Sequence, residues 1–326
     1  HLSMEQCSSE QTARYKASVA RRIAEQAVAE NGGGTVLTDL TGGLGGDFSF
    51  MAREFGRAVY VERDAHLCAI AGDNFRRLGL DNACTVCADC TDYLPGSGRV
   101  TLFYADPARR DSNGARTYAI SDCTPDIVRM MPVMLGKAEA VMVKLSPMLD
   151  LSLALRELQQ TQEVHIISVN NECKELLLIL GQTVPQEIKI HCVNLSTKGE
   201  QEGQHFTFTR EQEQCSQCNY TDSLDEYLYE PNTSLLKAGA FKSLSSAFPI
   251  RKLHPNSHLY TSDTLIDNFP GRIFRIVNQC SFNKKESKEC LADLKKANIT
   301  IRNFPATVVE LRKRIKLSEG GDTYLF

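Results

Sequence analysis

Between residues 9 and 30 the apolar positions Ala13, Ala17, Ala20, Ile23, Ala24 and Ala27 recur at helical spacing, and Asn31-Gly32-Gly33-Gly34 closes the pattern with a turn. A helix is therefore expected ahead of the first strand. Beyond it, short apolar runs predict strands over 35–40, 58–62, 84–88, 100–105, 140–145 and 164–169. Interleaved amphipathic stretches predict helices over 48–54, 65–78, 126–134, 151–159 and 172–180. This exchange of strands and helices implies a parallel sheet covered by helices on both faces. Two further extended runs, 187–195 and 205–210, flank the polar stretch 196–204 and read as a hairpin rather than another crossover.

Residues 211–225 are polar and lose all period, which marks a linker. Past it, a helix over 233–244, a strand over 272–277, a Lys-rich helix over 284–296, a strand over 300–302 and a helix over 306–314 suit a small α+β domain of ferredoxin-like kind. The expected organisation is an N-terminal helical segment (1–31), an α/β domain (32–215) and a smaller C-terminal domain (222–326).

Composition excludes several classes. With 326 residues, 42 % hydrophobic and 24 % charged, the chain can bury a full core. Its longest uninterrupted apolar run, Leu176 to Leu180, is far too short to cross a membrane. The chain opens at His1 with its first Met at Met4, which reads as a tag remnant or a trimmed start, and no charged-then-apolar leader follows. A cytoplasmic location is expected, and the 12 scattered Cys are expected to be reduced thiols. Neither Cys84, Cys87 and Cys90 nor the pair Cys215 and Cys218 finds the partners a closed zinc site needs, and Pro255 breaks the helix that His254 and His258 would require. No metal is expected.

Charge distribution says more than net charge. The total is −3, but from Pro231 onward 16 Lys and Arg face 8 Asp and Glu, leaving that part at +8 and the rest at −11. Such asymmetry favours a phosphate-rich partner for the C-terminal part, with a merely solvated basic face as the alternative.

The most informative segment is Asp39-Leu40-Thr41-Gly42-Gly43-Leu44-Gly45-Gly46-Asp47, a glycine-rich turn between a buried strand and a helix. Glycines there let the backbone approach a ligand, and open α/β sheets bind ligands at the carboxyl ends of their strands. The third glycine of a dinucleotide fingerprint is replaced by Phe48, and no Lys-Ser or Lys-Thr follows as in a phosphate loop. Asp47 is expected to cap the next helix. Three further acidic residues close the next three strands: Glu62 in Val-Tyr-Val-Glu, Asp89 in Cys-Ala-Asp-Cys, and Asp106 opening Asp-Pro-Ala-Arg-Arg.

In that order these motifs resemble class I S-adenosylmethionine-dependent methyltransferases, whose sheet is Rossmann-like. The resemblance implies that Asp39, Thr41, Gly43 and Gly45 surround the methionine part of S-adenosyl-L-methionine, that Glu62 holds the ribose hydroxyls and that Asp89 meets the adenine amino group. Asp106-Pro107-Ala108-Arg109 is similar to the Asp-Pro-Pro-aromatic motif of enzymes that methylate exocyclic amino nitrogens. Ala108 replaces the second proline and Arg109 the aromatic. It implies that Asp106 and Pro107 accept hydrogen bonds from the target amine. Arg109 and Arg110 would then stack on a base or clamp phosphate, or pair with Asp111 or Asp122 at the surface. Carbon-5 chemistry would need a Cys nucleophile after the next strand, which instead ends Lys144-Leu145-Ser146-Pro147; Cys173 is the only displaced candidate. Lys144 is expected to line the cleft or pair with an acid.

Tyr229-Glu230-Pro231-Asn232, Phe248-Pro249-Ile250-Arg251-Lys252 and the run from Ile301 to Phe326 resemble a bacterial group of methyltransferases with a C-terminal THUMP-like domain. That resemblance implies binding of structured RNA, tRNA or rRNA, with Arg312, Lys313 and Arg314 as substrate contacts beside Arg302 and Lys316. Phe241, Phe248, Tyr260, Phe269, Phe274 and Phe304 are expected in the core. Methyl transfer to a protein or small molecule, and a non-catalytic RNA-binding module, stand as alternatives.

Overall fold

The computed structural model describes residues 8–109, 120, 123–197, 203–302 and 304–326, and of Arg109 the backbone alone. Two compact units emerge: residues up to Glu211 together with Thr233–Ala238, and Gln212–Asn232 with Gly239–Phe326.

The first unit opens with α1 (Glu10–Asn31), capped by the Ser9 side chain accepting from the Thr12 N–H. Its buried face is rich in alanine (Ala13, Ala17, Ala20, Ala24 and Ala27), which lets it lie close to the sheet. The strands are β1 (Val36–Asp39), β2 (Arg57–Glu62), β3 (Ala83–Cys87), β4 (Val100–Ala105), a short ribbon of β5 (Ala108–Arg109) with β6 (Cys123–Thr124), then β7 (Ala138–Leu145), β8 (Thr161–Val169), β9 (Glu172–Leu180), β10 (Lys189–Leu195) and β11 (Gln204–Thr209). Helices α2 (Gly46–Met51), α3 (Ala65–Arg77), α4 (Cys90–Gly96), α5 (Ile127–Lys137) and α6 (Leu151–Glu157) connect them, and α7 (Arg210–Cys215) leads out.

The nine-stranded sheet runs β11-β10-β8-β9-β7-β4-β1-β2-β3. Strands β1, β2, β3, β4 and β7 are mutually parallel. The order reverses between β1 and β4, and a ligand crevice belongs at the carboxyl ends of strands flanking such a switch.

One expectation fails here: residues 172–180 form a strand, not a helix, antiparallel to both β7 and β8. The run Leu176 to Leu180 is buried on both faces of the sheet, so it shows no alternation, and a short continuous apolar run fits helix or strand equally. The deciding signal is Asn170-Asn171, both at positive φ (50° and 63°), which makes a two-residue hairpin turn. The hairpin of β10 and β11 is present as expected.

In the second unit, β13 (Arg251–Lys252), β14 (Tyr260–Ser262), β12 (Tyr227–Pro231) and β15 (Gly271–Arg275) form an antiparallel sheet in that order. A parallel pair, β16 (Asn298–Ile299) and β17 (Tyr324–Leu325), completes it with α10 (Lys284–Cys290) and α11 (Val308–Ile315). The helix expected over 233–244 is two: α8 (Thr233–Ala238), which packs on the first unit's sheet, and α9 (Phe241–Ala247), parted by Gly239 at φ 73°. The Lys-rich helix also stops early, at Cys290. The expected linker is folded: Glu213 accepts the Phe241, Lys242 and Ser243 N–H groups at 3.1, 2.9 and 2.8 Å and so caps α9 from a distance. Of the six aromatics assigned to the core, Tyr260 and Phe269 are buried, whereas Phe304 is 40 % exposed against the edge of Phe282.

Candidate active site

The glycine-rich turn rests on an aromatic floor. Phe48, Tyr60 and Phe75 pack against one another beneath it. A Cβ at Gly42 would fall 2.2 Å from the Tyr60 ring, and one at Gly45, whose φ is +74°, 2.7 Å from the Phe75 ring, so no side chain fits either position. The Tyr60 hydroxyl donates to the Gly43 carbonyl, and the Gly43 N–H donates to Glu62 Oε2 at 2.8 Å. The turn is thus pinned from below and from the end of β2.

Above it opens a cavity of about 300 Å³ whose wall includes Thr41, Gly43, Glu62, Asp89, Asp106 and Lys144. Each Glu62 oxygen accepts one backbone N–H, from Gly43 and from Asp64, both at 2.8 Å. Each therefore keeps acceptor capacity for a ligand hydroxyl. Asp89 caps α4, accepting the Thr91 hydroxyl at 2.6 Å and its N–H at 2.9 Å, and these bonds hold its carboxyl below the usual range. Among the described lining residues there is no aromatic ring.

Asp39 lies beneath the turn rather than in the wall, 2 % exposed, and accepts the Thr41 N–H at 2.9 Å. Burial pushes its carboxyl up to about 8, the nearby Asp47 and Asp106 adding to the effect. The Thr41 hydroxyl accepts the Asp106 N–H at 2.7 Å, tying the first motif to the fourth.

From the cavity wall inward runs a chain of charges, increasingly buried. Lys144 Nζ lies 2.5 Å from Asp106 and 3.5 Å from Asp47; Lys16 Nζ lies 3.1 Å from Asp47 and 2.6 Å from Glu175. Tyr104 and Ser8 donate to Asp47 at 2.7 and 2.9 Å. Burial works to raise Asp47, but the two ammonium groups and two hydroxyls outweigh it and leave its carboxyl below the usual range. Burial raises Asp106 in spite of Lys144. For Lys144 burial is likewise the largest influence, yet Asp106, Asp47 and Glu175 overcome it and raise the ammonium.

Asp47 is therefore not the helix cap it was expected to be. Gly45, in left-handed conformation, occupies the cap position without a side-chain bond, and Asp47 lies inside the first turn with its carboxyl in the charge network. A cap must stand half outside the helix, which Asp47 does not. Gly45 is buried under the turn and Pro107 is buried beside Asp106. The Arg109 backbone pairs with Cys123 in the β5–β6 ribbon; its side chain, Arg110, Asp111 and Asp122 lie outside the described residues. Cys173 is half-buried at the start of β9, and burial raises its thiol, the reverse of an activated nucleophile.

Lys16, Ser8, Tyr104 and Glu175 escaped the sequence reading. Lys16 left a trace: it sits on the alanine face of α1, between Ala13 and Ala20, where an unpartnered cation would be costly.

In the second unit α11 buries Leu311 and exposes Lys313 and Arg314. Arg314 stacks over Phe282 at 4.1 Å. Arg312 is half-buried and donates to the Ala297 and Leu317 carbonyls at 3.4 Å each. Arg302 is held with Arg272 on the buried Glu230.

A family model described as a ferredoxin-like domain matches residues 227–270, and one described as THUMP domain-like matches residues 271–326. The crystal structure of a candidate methyltransferase from Porphyromonas gingivalis W83 aligns over 100 % of this chain and 78 % of its own, with 37 % identity and a TM-score of 0.87. An Agrobacterium tumefaciens SAM-dependent methyltransferase aligns over 52 % of this chain and 62 % of its own, with 13 % identity and a TM-score of 0.36. A Streptococcus mutans candidate methyltransferase solved with SAH aligns over 50 % of this chain and 96 % of its own, with 11 % identity and a TM-score of 0.36. Curated proteins gave no match. No helix among the described residues is long and apolar enough to cross a membrane.

Proposed function

The chain belongs to the family of class I methyltransferases with a C-terminal THUMP-like domain, and from that premise we propose that it transfers the methyl group of S-adenosylmethionine to an exocyclic amino group of a base in structured RNA, such as tRNA or rRNA. The observation that carries this reading is the convergence of Glu62, Asp89 and Asp106, from three successive strand ends, on one cavity beside a glycine turn that admits no side chain at Gly42 or Gly45.

The donor set fits the cofactor. Glu62 offers acceptors for ribose hydroxyls, Asp89 an acceptor for an amino group, and the open backbone at Gly43 room for the methionine part. When bound, S-adenosylmethionine supplies a methyl group already activated on a sulfonium, so the protein's task is positioning. Lys144 holds one oxygen of Asp106, and Thr41 holds its backbone N–H. The carboxylate is thereby fixed as an acceptor that orients an incoming amine. By the same resemblance the Pro107 carbonyl is the second acceptor for that amine.

On the RNA side, Lys313, Arg314 and Lys316 are the members of the predicted set that stay exposed, while Arg312 and Arg302 are committed within the unit. Contacts through such side chains are mostly to phosphate.

The test is transfer of a labelled methyl group to size-fractionated, undermodified RNA, with Asp106→Ala as the control. Label in one RNA band that disappears with the variant supports the proposal. Label appearing only in protein or small-molecule fractions, or none at all with cofactor binding intact, overturns it.

A further inference from the structure

On the other side of the sheet's midline lies a cluster that methyl transfer does not use. Strands β8 and β10 run parallel with His165 directly opposite His191 and Glu163 opposite Lys189. Because strand side chains alternate, Glu163, His165 and His191 share one face, the face covered by α1. The two imidazoles stack with centroids 4.5 Å apart at 14°. His165 Nε2 is 3.3 Å and His191 Nε2 3.7 Å from the same oxygen, Glu163 Oε2. Among the described residues this is the one group of His, Cys, Asp and Glu whose ligand atoms all lie within 4.8 Å of one another.

Three features separate it from an ordinary buried ion pair. The other nitrogen of each ring is engaged by a hydroxyl, His165 Nδ1 by Tyr15 at 2.8 Å and His191 Nδ1 by Thr207 at 3.0 Å. Such outer bonds orient histidines whose remaining nitrogen serves as a ligand. His191 Nε2 is buried without any hydrogen-bond partner, which costs free energy unless something fills the gap. The 3.3 Å separation from His165 Nε2 matches the edge of a tetrahedron with metal–ligand bonds of about 2.0–2.2 Å, for which ligands stand roughly 3.3–3.6 Å apart, and the 3.7 Å separation from His191 Nε2 lies just outside it.

We propose that Glu163, His165 and His191 form a binding site for a divalent transition cation of the zinc type, joining β8 to β10 under α1. Two neutral imidazoles and one carboxylate are a donor set suited to such an ion rather than to calcium or magnesium, which prefer oxygen alone. A competitor is present: Arg22 donates to Glu163 at 3.0 and 2.5 Å. Its side chain is 48 % exposed, so the guanidinium can swing into water when the cation takes Glu163 Oε2. A cavity of about 390 Å³ beside the cluster, bordered by Ser18 and Arg22, gives the ion a path in.

Cobalt(II) is the probe, because its visible spectrum reports geometry and separates nitrogen and oxygen ligands from the thiolates of this Cys-rich chain. The full-length protein, stripped with chelator and desalted, is titrated with Co²⁺, and bound ion is displaced with Zn²⁺. The expected result is one equivalent with a tetrahedral visible band and no thiolate charge-transfer band. Glu163→Gln and His191→Ala should each weaken it at least tenfold, and Arg22→Gln should tighten it. Circular dichroism checks that each variant is folded. Failure of the wild-type protein to bind Co²⁺, a thiolate charge-transfer band, or equal binding by a folded His191→Ala variant overturns the proposal. The wild-type measurement decides even where a variant does not fold.

Discussion

Lys144 and Asp106 meet at 2.5 Å across the neighbouring strands β7 and β4, with the carboxylate at the cavity wall and the ammonium backed by Asp47. Burial raises the Asp106 carboxyl, and Lys144 is the largest influence opposing that rise. In the proposed reaction Asp106 must be ionised to accept from the amine. Replacing Lys144 with Met removes the opposition, so the carboxyl rises further and the acid limb of the rate profile moves to higher pH. Transfer near neutral pH should fall by ~10²-fold, in line with loss of a preorganised electrostatic partner, and recover in part as pH is raised. A pH–rate profile checks this; an unshifted limb would remove Lys144 from the positioning of Asp106.

Glu62 ties the end of β2 to the glycine turn while facing the cavity. Glu62→Ala should weaken S-adenosylmethionine binding by about 1.5–3 kcal/mol, the cost of a lost charged hydrogen bond. Glu62→Gln should lose less, since it keeps one acceptor oxygen. Calorimetric titration with the cofactor reads both, and an unchanged dissociation constant in the alanine variant would contradict the ribose assignment.

Much of this site was legible because each motif sits where a strand stops: Asp39, Glu62, Asp89 and Asp106 are spaced by the strand–helix repeat itself. What the sequence hid are contacts made between distant segments. Lys16 and Glu175 are 159 positions apart, and nothing local to either predicts their 2.6 Å pair. Asp47 looked like a cap because Asp often is one; only the left-handed Gly45 before it shows that the helix had already begun. Residues 172–180 misled for a different reason, since a strand buried on both faces carries no periodicity to read.

Lys16 has no exposed side-chain surface and bridges Asp47 and Glu175. Lys16→Met keeps the volume but leaves two buried carboxylates without their shared cation, so stability should drop by about 3–5 kcal/mol. Adding Glu175→Gln should restore part of that loss. Denaturant melts of the two variants check it; a Lys16→Met protein as stable as wild type would mean that water, not the lysine, solvates these acids.

Asp39 gives a pH signature of known sign. Its folded carboxyl is raised to about 8, against roughly 3.9 in an unfolded chain. The folded state therefore holds a proton that the unfolded state has released, and the stability this group allows is lost as pH rises through that window. Asp39→Asn keeps an acceptor for the Thr41 N–H and cannot ionise. The variant should gain on wild type progressively as pH rises across the window and level off above it. Comparing melts of the two proteins isolates this group from Asp47, whose shift has the opposite sign. A constant difference across the range would show that Asp39 ionises normally.

Lys313 and Arg314 stand exposed on one turn of α11, held in register by a Thr307–Glu310 capping box and the buried Leu311. Their spacing keeps both charges available to a phosphate backbone, while Arg312 between them is anchored to the Ala297 and Leu317 carbonyls. Each phosphate contact made by such a side chain adds roughly 0.7–0.9 to the slope of log affinity against log salt. Lys313→Ala and Arg314→Ala should each lower that slope by about one and weaken binding to all tested RNAs alike, because phosphate contacts position rather than specify. Arg312→Ala should act through stability instead, lowering the unfolding midpoint with little change in slope. Filter binding across a salt series, beside thermal melts, separates the two behaviours. If Arg312→Ala changed the slope and the exposed pair did not, α11 would contact RNA through its other face or not at all.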